Sequence, residues 1–186
     1  MSLYRVFSYL EGVPDHKPGG ALFIPPQGAG RLDNPEHYDV LYVSSDPEAA
    51  VAESLAPIPS AVWTTATMRG TPLLPGSIRA LARYALPGLA LICDLDDPRQ
   101  LLAHQLRPST VITRDYAITQ SWALKIFKAA RTTGWVGVRW WSYYEGRWSS
   151  IGLWTRTALH VVEVVPLTVG NPAVAAAAKI VGRQIM

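Results

Sequence analysis

Residues 30–55 read GRLDNPEHYDVLYVSSDPEAAVAESL, and how this stretch folds decides how the chain folds. Its centre, VLYVS over 40–44, is rich in branched and aromatic residues and predicts a strand. Ser45 and Glu48 have capping-box spacing and Pro47 suits a first helical turn, so a helix is expected to about Leu55, where Pro57 and Pro59 stop it. Upstream, Gly28 and Gly30 free the backbone of a loop. Arg31, Tyr42 and Glu53 therefore fall on a loop, a strand and a helix, at equal intervals of eleven residues. Strand alternation sets Tyr42 on the face opposite Leu41 and Val43. Helical spacing sets Glu53 beside Ala49, Ala50 and Ala56, small residues that let a neighbour approach closely. A buried strand flanked by two charges is not what a core requires, but it is what a binding cleft can use.

Further along the chain, LYRVFSY (3–9) predicts a first strand, with Arg5 placed unusually among apolar neighbours. Residues 11–30 hold four Pro and five Gly and read as a long loop with a short extended piece near Leu22–Ile24. Strands are expected at 61–68, 89–95, 137–142, 150–155 and 159–165. Helices are expected at 97–106, at 115–134 between Asp115 and Gly134, and from Asn171-Pro172 to the end of the chain. Trp122, Ile126, Ala129 and Ala130 give the 115–134 helix one apolar face. With strands clustered at both ends and no repeat or linker, the class is α+β, not a regular βαβ alternation. One domain over 1–186 is expected.

Composition narrows the function. Hydrophobic residues make up 49% and charged residues 17% of 186, a composition of compact, ordered chains. The formal charge of +3 is scattered, without a run of like charges, so direct nucleic-acid binding is weakly motivated. Two or three placed arginines would suffice for a small anion. Cys93 is the single cysteine, expected buried and inert, and no Cys/His spacing resembles a zinc site. Without a signal-peptide h-region or an apolar run long enough for a bilayer, a soluble cytoplasmic setting is expected. There is no GxGxxG after a strand, no P-loop and no GxSxG, which leaves dinucleotide-fold, NTPase and serine-hydrolase readings without support.

Each candidate has a plainer alternative. Glu53 could be a solvated helix residue, Arg31 a surface loop cation, Tyr42 a packed core ring and Ser142 a turn hydroxyl. Five of the seven Trp fall between 135 and 154, where they can build a sheet core or stack on a heterocycle.

Taken together, YR in the first strand, GR then Asn34, VLY then Ser44, Ala50 then Glu53, and Gly137, Arg139 and Ser142 resemble the RES domain family, from Leu3 to about Trp154. The strand and helix of 159–186 follow this motif-bearing part. The resemblance implies an ADP-ribosyltransferase-like, mainly antiparallel split sheet with flanking helices. It further implies a toxin that cleaves the nicotinamide–ribose bond of NAD as a glycohydrolase or phosphorylase. NAD is then substrate, no metal is needed, and a cognate antitoxin with an Xre-like DNA-binding region restrains the enzyme. It carries the family arginine to Arg31, the tyrosine to Tyr42, the glutamate to Glu53 and the serine to Ser142, with Arg5 matching an early strand arginine. Glu53, Arg31 and Ser142 are then expected to be catalytic, and Arg5, Arg31, Tyr42 and Ser142 to contact NAD, all in one pocket. Two departures stand out. Where the family often reads Gly-Arg-Trp-Asn, this chain has Leu32 and an additional Asp33 before Asn34, and Trp140-Trp141 precede Ser142 in place of Tyr-Pro. A mono-ADP-ribosyltransferase acting on a protein, and a non-catalytic nucleotide- or nucleic-acid-binding module, are the competing readings. A homo-oligomer stays open.

Overall fold

The computed structural model describes residues 1–88, 90–154 and 159–186. In chain order it contains β1 (Ser2–Tyr9), β2 (Leu41–Ser44), α1 (Pro47–Leu55) and β3 (Val62–Trp63), then β4 (Ile78–Ala85), β5 (Leu91–Asp94), α2 (Pro98–Ala103) and α3 (Pro108–Val111). There follow α4 (Tyr116–Thr133), β6 (Trp135–Trp141), β7 (Ser149–Leu153), β8 (His160–Pro166), α5 (Pro172–Val181) and β9 (Gln184–Ile185). Among the described residues, seven strands form one sheet in the order β5-β6-β7-β2-β1-β4-β8, and β3 pairs with β9 apart from it. Only the β5–β6 pair of the large sheet is parallel, so the class is mixed and mostly antiparallel.

The sheet is weakest in its middle. Eight residues of β1 pair with β4, but β1 meets β2 in register only at Tyr4 and Ser44. The strands diverge on either side of that contact, and a crevice opens over the seam. Residues paired across antiparallel strands share a face. The row Trp140, Ser150, Ser44, Tyr4 therefore points to one side of the sheet. On that side α1 packs over β1 and β4 and α5 packs against α1, through Ala49, Val51, Leu55, Val174 and Ala177, while α4 packs over β6 through Trp122 and Ile126. The opposite face is a separate core of Leu3, Phe7, Leu41, Val43, Tyr84 and Ile151, covered by Ala21 and Leu22. Tyr42 thus lies opposite Leu41 and Val43, as alternation requires.

Several local expectations change. The 61–68 strand stops after Trp63, because Thr67 Oγ1 accepts from Thr64 N and Thr64 Oγ1 accepts from Ala66 N, which turns Thr65–Met68 into a 3₁₀ helix. No element is expected from sequence over IRALARYA (78–85), yet it forms an interior strand, β4, held between β1 and β8. The terminal helix ends at Val181, where Gly182 takes φ 68°, and the last residues pair as β9 with β3. The cap of α1 is Asp46 without a side-chain cap bond, in place of the Ser45/Glu48 box. No regular element forms at 22–24, and α3 is an unanticipated single turn. Leu89 and Thr155, at the ends of two expected strands, lie outside the described residues. By contrast α4 begins and ends as its sequence signals say, with Asp115 accepting from Ala117 N and Gly134 at φ 75°.

Candidate functional site

A cavity of about 350 Å³ occupies the crevice over the β1–β2 seam. Its floor is the hydroxyl-bearing row Ser150, Ser44 and Tyr4, and Ile112, Tyr116, Trp141 and Tyr143 form apolar walls. Arg31, Tyr42 and Glu53 all line it. The loop, strand and helix of residues 30–55 do converge on one place.

Glu53 stands on α1 with Ala50 beside it in the cavity wall. Its Oε1 accepts from Ser142 Oγ at 2.6 Å and from Ser150 Oγ at 3.3 Å. Its Oε2 makes no hydrogen bond among the described residues. One oxygen therefore fixes the carboxylate while the other stays available, although the side chain is exposed to the cavity. Ser142 is 3% exposed and does not line the wall; it grips Glu53 from behind and also accepts from Tyr144 N. Ser150 was not singled out from sequence. It is an ordinary strand serine until the Trp140–Ser150–Ser44 register aims it at the cavity.

Arg31 is held along its whole length. Its Nη1 donates to Val111 O at 2.6 Å and Thr113 O at 2.8 Å, its ring neighbour is Tyr116 at 5.7 Å, and its carbonyl accepts from Thr119 Oγ1. Burial lowers its pKa, opposed by Tyr116, Glu53 and Tyr42. A guanidinium remains charged under such a shift. Neither Arg31 nor Arg114, whose guanidinium lies 5.0 Å from the Tyr143 ring, forms an ion pair among the described residues.

Tyr42 contributes a ring to the wall, but its hydroxyl is engaged. It donates to Asp33 Oδ1 at 2.6 Å and accepts from Leu32 N at 2.8 Å. Burial, then the bond to Asp33, pushes its pKa far above the ordinary tyrosine value. Asp33 Oδ2 accepts from Gly28 N and Gly30 N at 2.8 and 2.7 Å. A Cβ on Gly30 would come within 2.6 Å of Asp33 Oδ1, so only glycine leaves room for that carboxylate.

Arg5 borders the cavity, but its Nη1 donates to Phe23 O at 2.9 Å and Ala21 O at 3.3 Å. Burial lowers its pKa and neighbouring Tyr84 opposes the shift. This arginine ties the 21–23 loop to β1, a role its position in an apolar strand did not reveal. Arg79, from β4, reaches Ser54 Oγ on the cavity wall. Among the described residues no group of three His, Cys, Asp or Glu side chains could hold a metal ion, and no helix is long and apolar enough to cross a membrane.

No curated protein matches the chain in sequence. Among solved structures, the M. tuberculosis MbcT–MbcA toxin–antitoxin complex contains a chain that is similar with a TM-score of 0.57 at 17% identity, over 96% of this chain and 87% of that one. At that identity the likeness speaks for the fold. The model of the RES domain matches residues 2–171, every element that builds the cavity, and the chain belongs to the RES domain family.

Proposed function

We propose that this chain is the toxin of a toxin–antitoxin pair and that it cleaves the nicotinamide–ribose bond of NAD in the cavity over the β1–β2 seam. The observation that carries the reading is the pairing of a half-satisfied carboxylate, Glu53, with a fixed arginine, Arg31, in one cavity. Membership of the RES family and the likeness to the MbcT–MbcA complex support the toxin assignment, and the split, mostly antiparallel sheet supports an ADP-ribosyltransferase-like relation.

In this mechanism the C–N bond breaks and neutral nicotinamide leaves with the bonding electrons. The ribose passes through an oxocarbenium-like state, as in glycoside hydrolysis. The leaving group is cationic beforehand, so no general acid is needed. Glu53 Oε2 faces the developing positive charge while Ser142 and Ser150 hold Oε1. Arg31 binds the diphosphate, and the Tyr42 ring packs against the ligand. Attack by water yields ADP-ribose and a proton; attack by phosphate yields the sugar phosphate.

Incubating the protein with NAD, with and without phosphate, and identifying products by mass tests this. Nicotinamide release with ADP-ribose or its phosphate is expected. Intact NAD overturns the reading, and a mass gain on a protein substrate points to transfer onto protein. In bacteria, soluble expression should lower cellular NAD and arrest growth unless an antitoxin, of Xre-like type, is co-expressed. Unchanged NAD under strong expression counts against it.

A further inference from the structure

Asp33 follows the Gly28–Gly30 loop directly after Arg31 and Leu32, and it is only 6% exposed. A buried carboxylate persists where donors replace its lost hydration. Asp33 has three: Gly28 N and Gly30 N on Oδ2, and Tyr42 Oη on Oδ1. The glycine loop before Arg31 would otherwise be a cradle of free amides suited to a phosphate. Here its own carboxylate fills it. A ligand anion must then be held by the arginine side chain.

We propose that Asp33, acting with the Tyr42 hydroxyl, is a positioning residue that sets the affinity of Arg31 for the diphosphate of the ligand. The pair ties the chain on both sides of Arg31, since Asp33 holds Gly30 N and the Tyr42 hydroxyl receives Leu32 N. From the far side, Thr119 holds the Arg31 carbonyl, and Val111 and Thr113 hold Nη1. The guanidinium enters the cavity in one posture, and Nε and Nη2 have no hydrogen-bond partner among the described residues. Asparagine at 33 cannot reproduce this. Its single oxygen can serve the glycine amides or the tyrosine proton, but not both sides at once.

The inference rests on the NAD reading for the identity of the ligand, and its test is separable from turnover. Calorimetry with ADP-ribose on the wild type, Asp33→Asn, Tyr42→Phe, the double variant and Arg31→Ala reads affinity, with melting temperature measured alongside. Each single change should weaken binding roughly tenfold. The double variant should lose far less than the product of the two single effects, because both remove the Asp33–Tyr42 bond and only Tyr42→Phe also removes the bond from Leu32 N. Where NAD is turned over, KM should rise while kcat stays within about twofold, the pattern of lost uniform binding. Asp33→Asn that melts lower but binds as the wild type does overturns the proposal, and so do losses that add, which would place the Tyr42 hydroxyl on the ligand independently. Should Asp33→Asn fail to fold, Tyr42→Phe removes the same bond from its other end and decides the matter. A wild type that binds ADP-ribose without consuming NAD overturns the proposed reaction and leaves this test intact; one that binds neither overturns both.

Discussion

Glu53 combines exposure to a cavity with a fixed orientation, and the two serines on Oε1 explain why. Glu53→Gln keeps the size and an oxygen that can still accept from Ser142 and Ser150. It removes only the charge. If that charge stabilises a cationic transition state, turnover should fall by about 10²–10³ while NAD affinity changes little. Turnover, affinity and circular dichroism on the purified variant check this. A solvated helix glutamate would instead shift stability by under ~0.5 kcal/mol and leave turnover alone. The serines should rank by geometry. Ser142→Ala loses a 2.6 Å bond and Ser150→Ala a 3.3 Å one, so the first should lower kcat more. Equal effects would mean that the register of β7, and not the hydroxyls, governs Glu53. Arg31, Tyr42 and Glu53 all line one cavity, and they were candidates from sequence through the charges flanking a short strand together with the family resemblance. Ser150 and Asp33 were not, because their partners lie on other strands or across a loop.

The strands beneath the cavity depend on missing side chains. Gly137 of β6 lies against the Gly152 carbonyl, where a Cβ would come within 2.3 Å of that oxygen. Gly152 of β7 faces Leu32 Cδ1, with a Cβ clearance of 2.2 Å. Both alanine variants overpack, typically at a cost of about 1–3 kcal/mol. Gly137→Ala should be the worse, because its obstacle is backbone and cannot rotate away. Gly152→Ala presses on Leu32, the neighbour of Arg31, so it should also weaken ADP-ribose binding. Chemical denaturation with a calorimetric titration on each variant separates the two effects; unaltered affinity in Gly152→Ala would break the link from β7 to the Arg31 loop. Elements with caps written into them, such as α4 between Asp115 and Gly134, were readable in advance. Those whose form depends on a neighbour, such as β4 and the pair β3–β9, were not.

Burial of weak acids ties the fold to pH. Burial pushes Tyr38 and Tyr84 up from 10.0 to about 12, and Cys93 up from 9.0 to about 12. The unfolded chain releases these protons near their ordinary values, whereas the folded chain holds them. Stability from these groups is therefore complete below about pH 9 and is lost as pH climbs towards about 12. Melting temperature should hold up to about pH 9 and drop between about pH 9 and about pH 12, and a flat profile would show that these groups are less shielded than their surroundings imply. Cys93, 1% exposed with Sγ 3.7 Å from His104 Nε2, should resist thiol alkylation in the native state and react on unfolding. What the amino-acid order determined by itself is local in cause. It set the α+β class through element periodicity, the ends of α4 through capping chemistry, and the candidates Arg31, Tyr42 and Glu53 through charges flanking a short strand and the ordered family motif. What only tertiary structure decided is every relation across the sheet. The single Tyr4–Ser44 pair splits the seam, Ser150 reaches Glu53, Arg5 turns to the 21–23 loop, and Asp33 fills the glycine cradle. The reason is physical: a strand's partners and register come from the minimum over all pairings of buried area and satisfied hydrogen bonds, and no stretch of one strand contains that information.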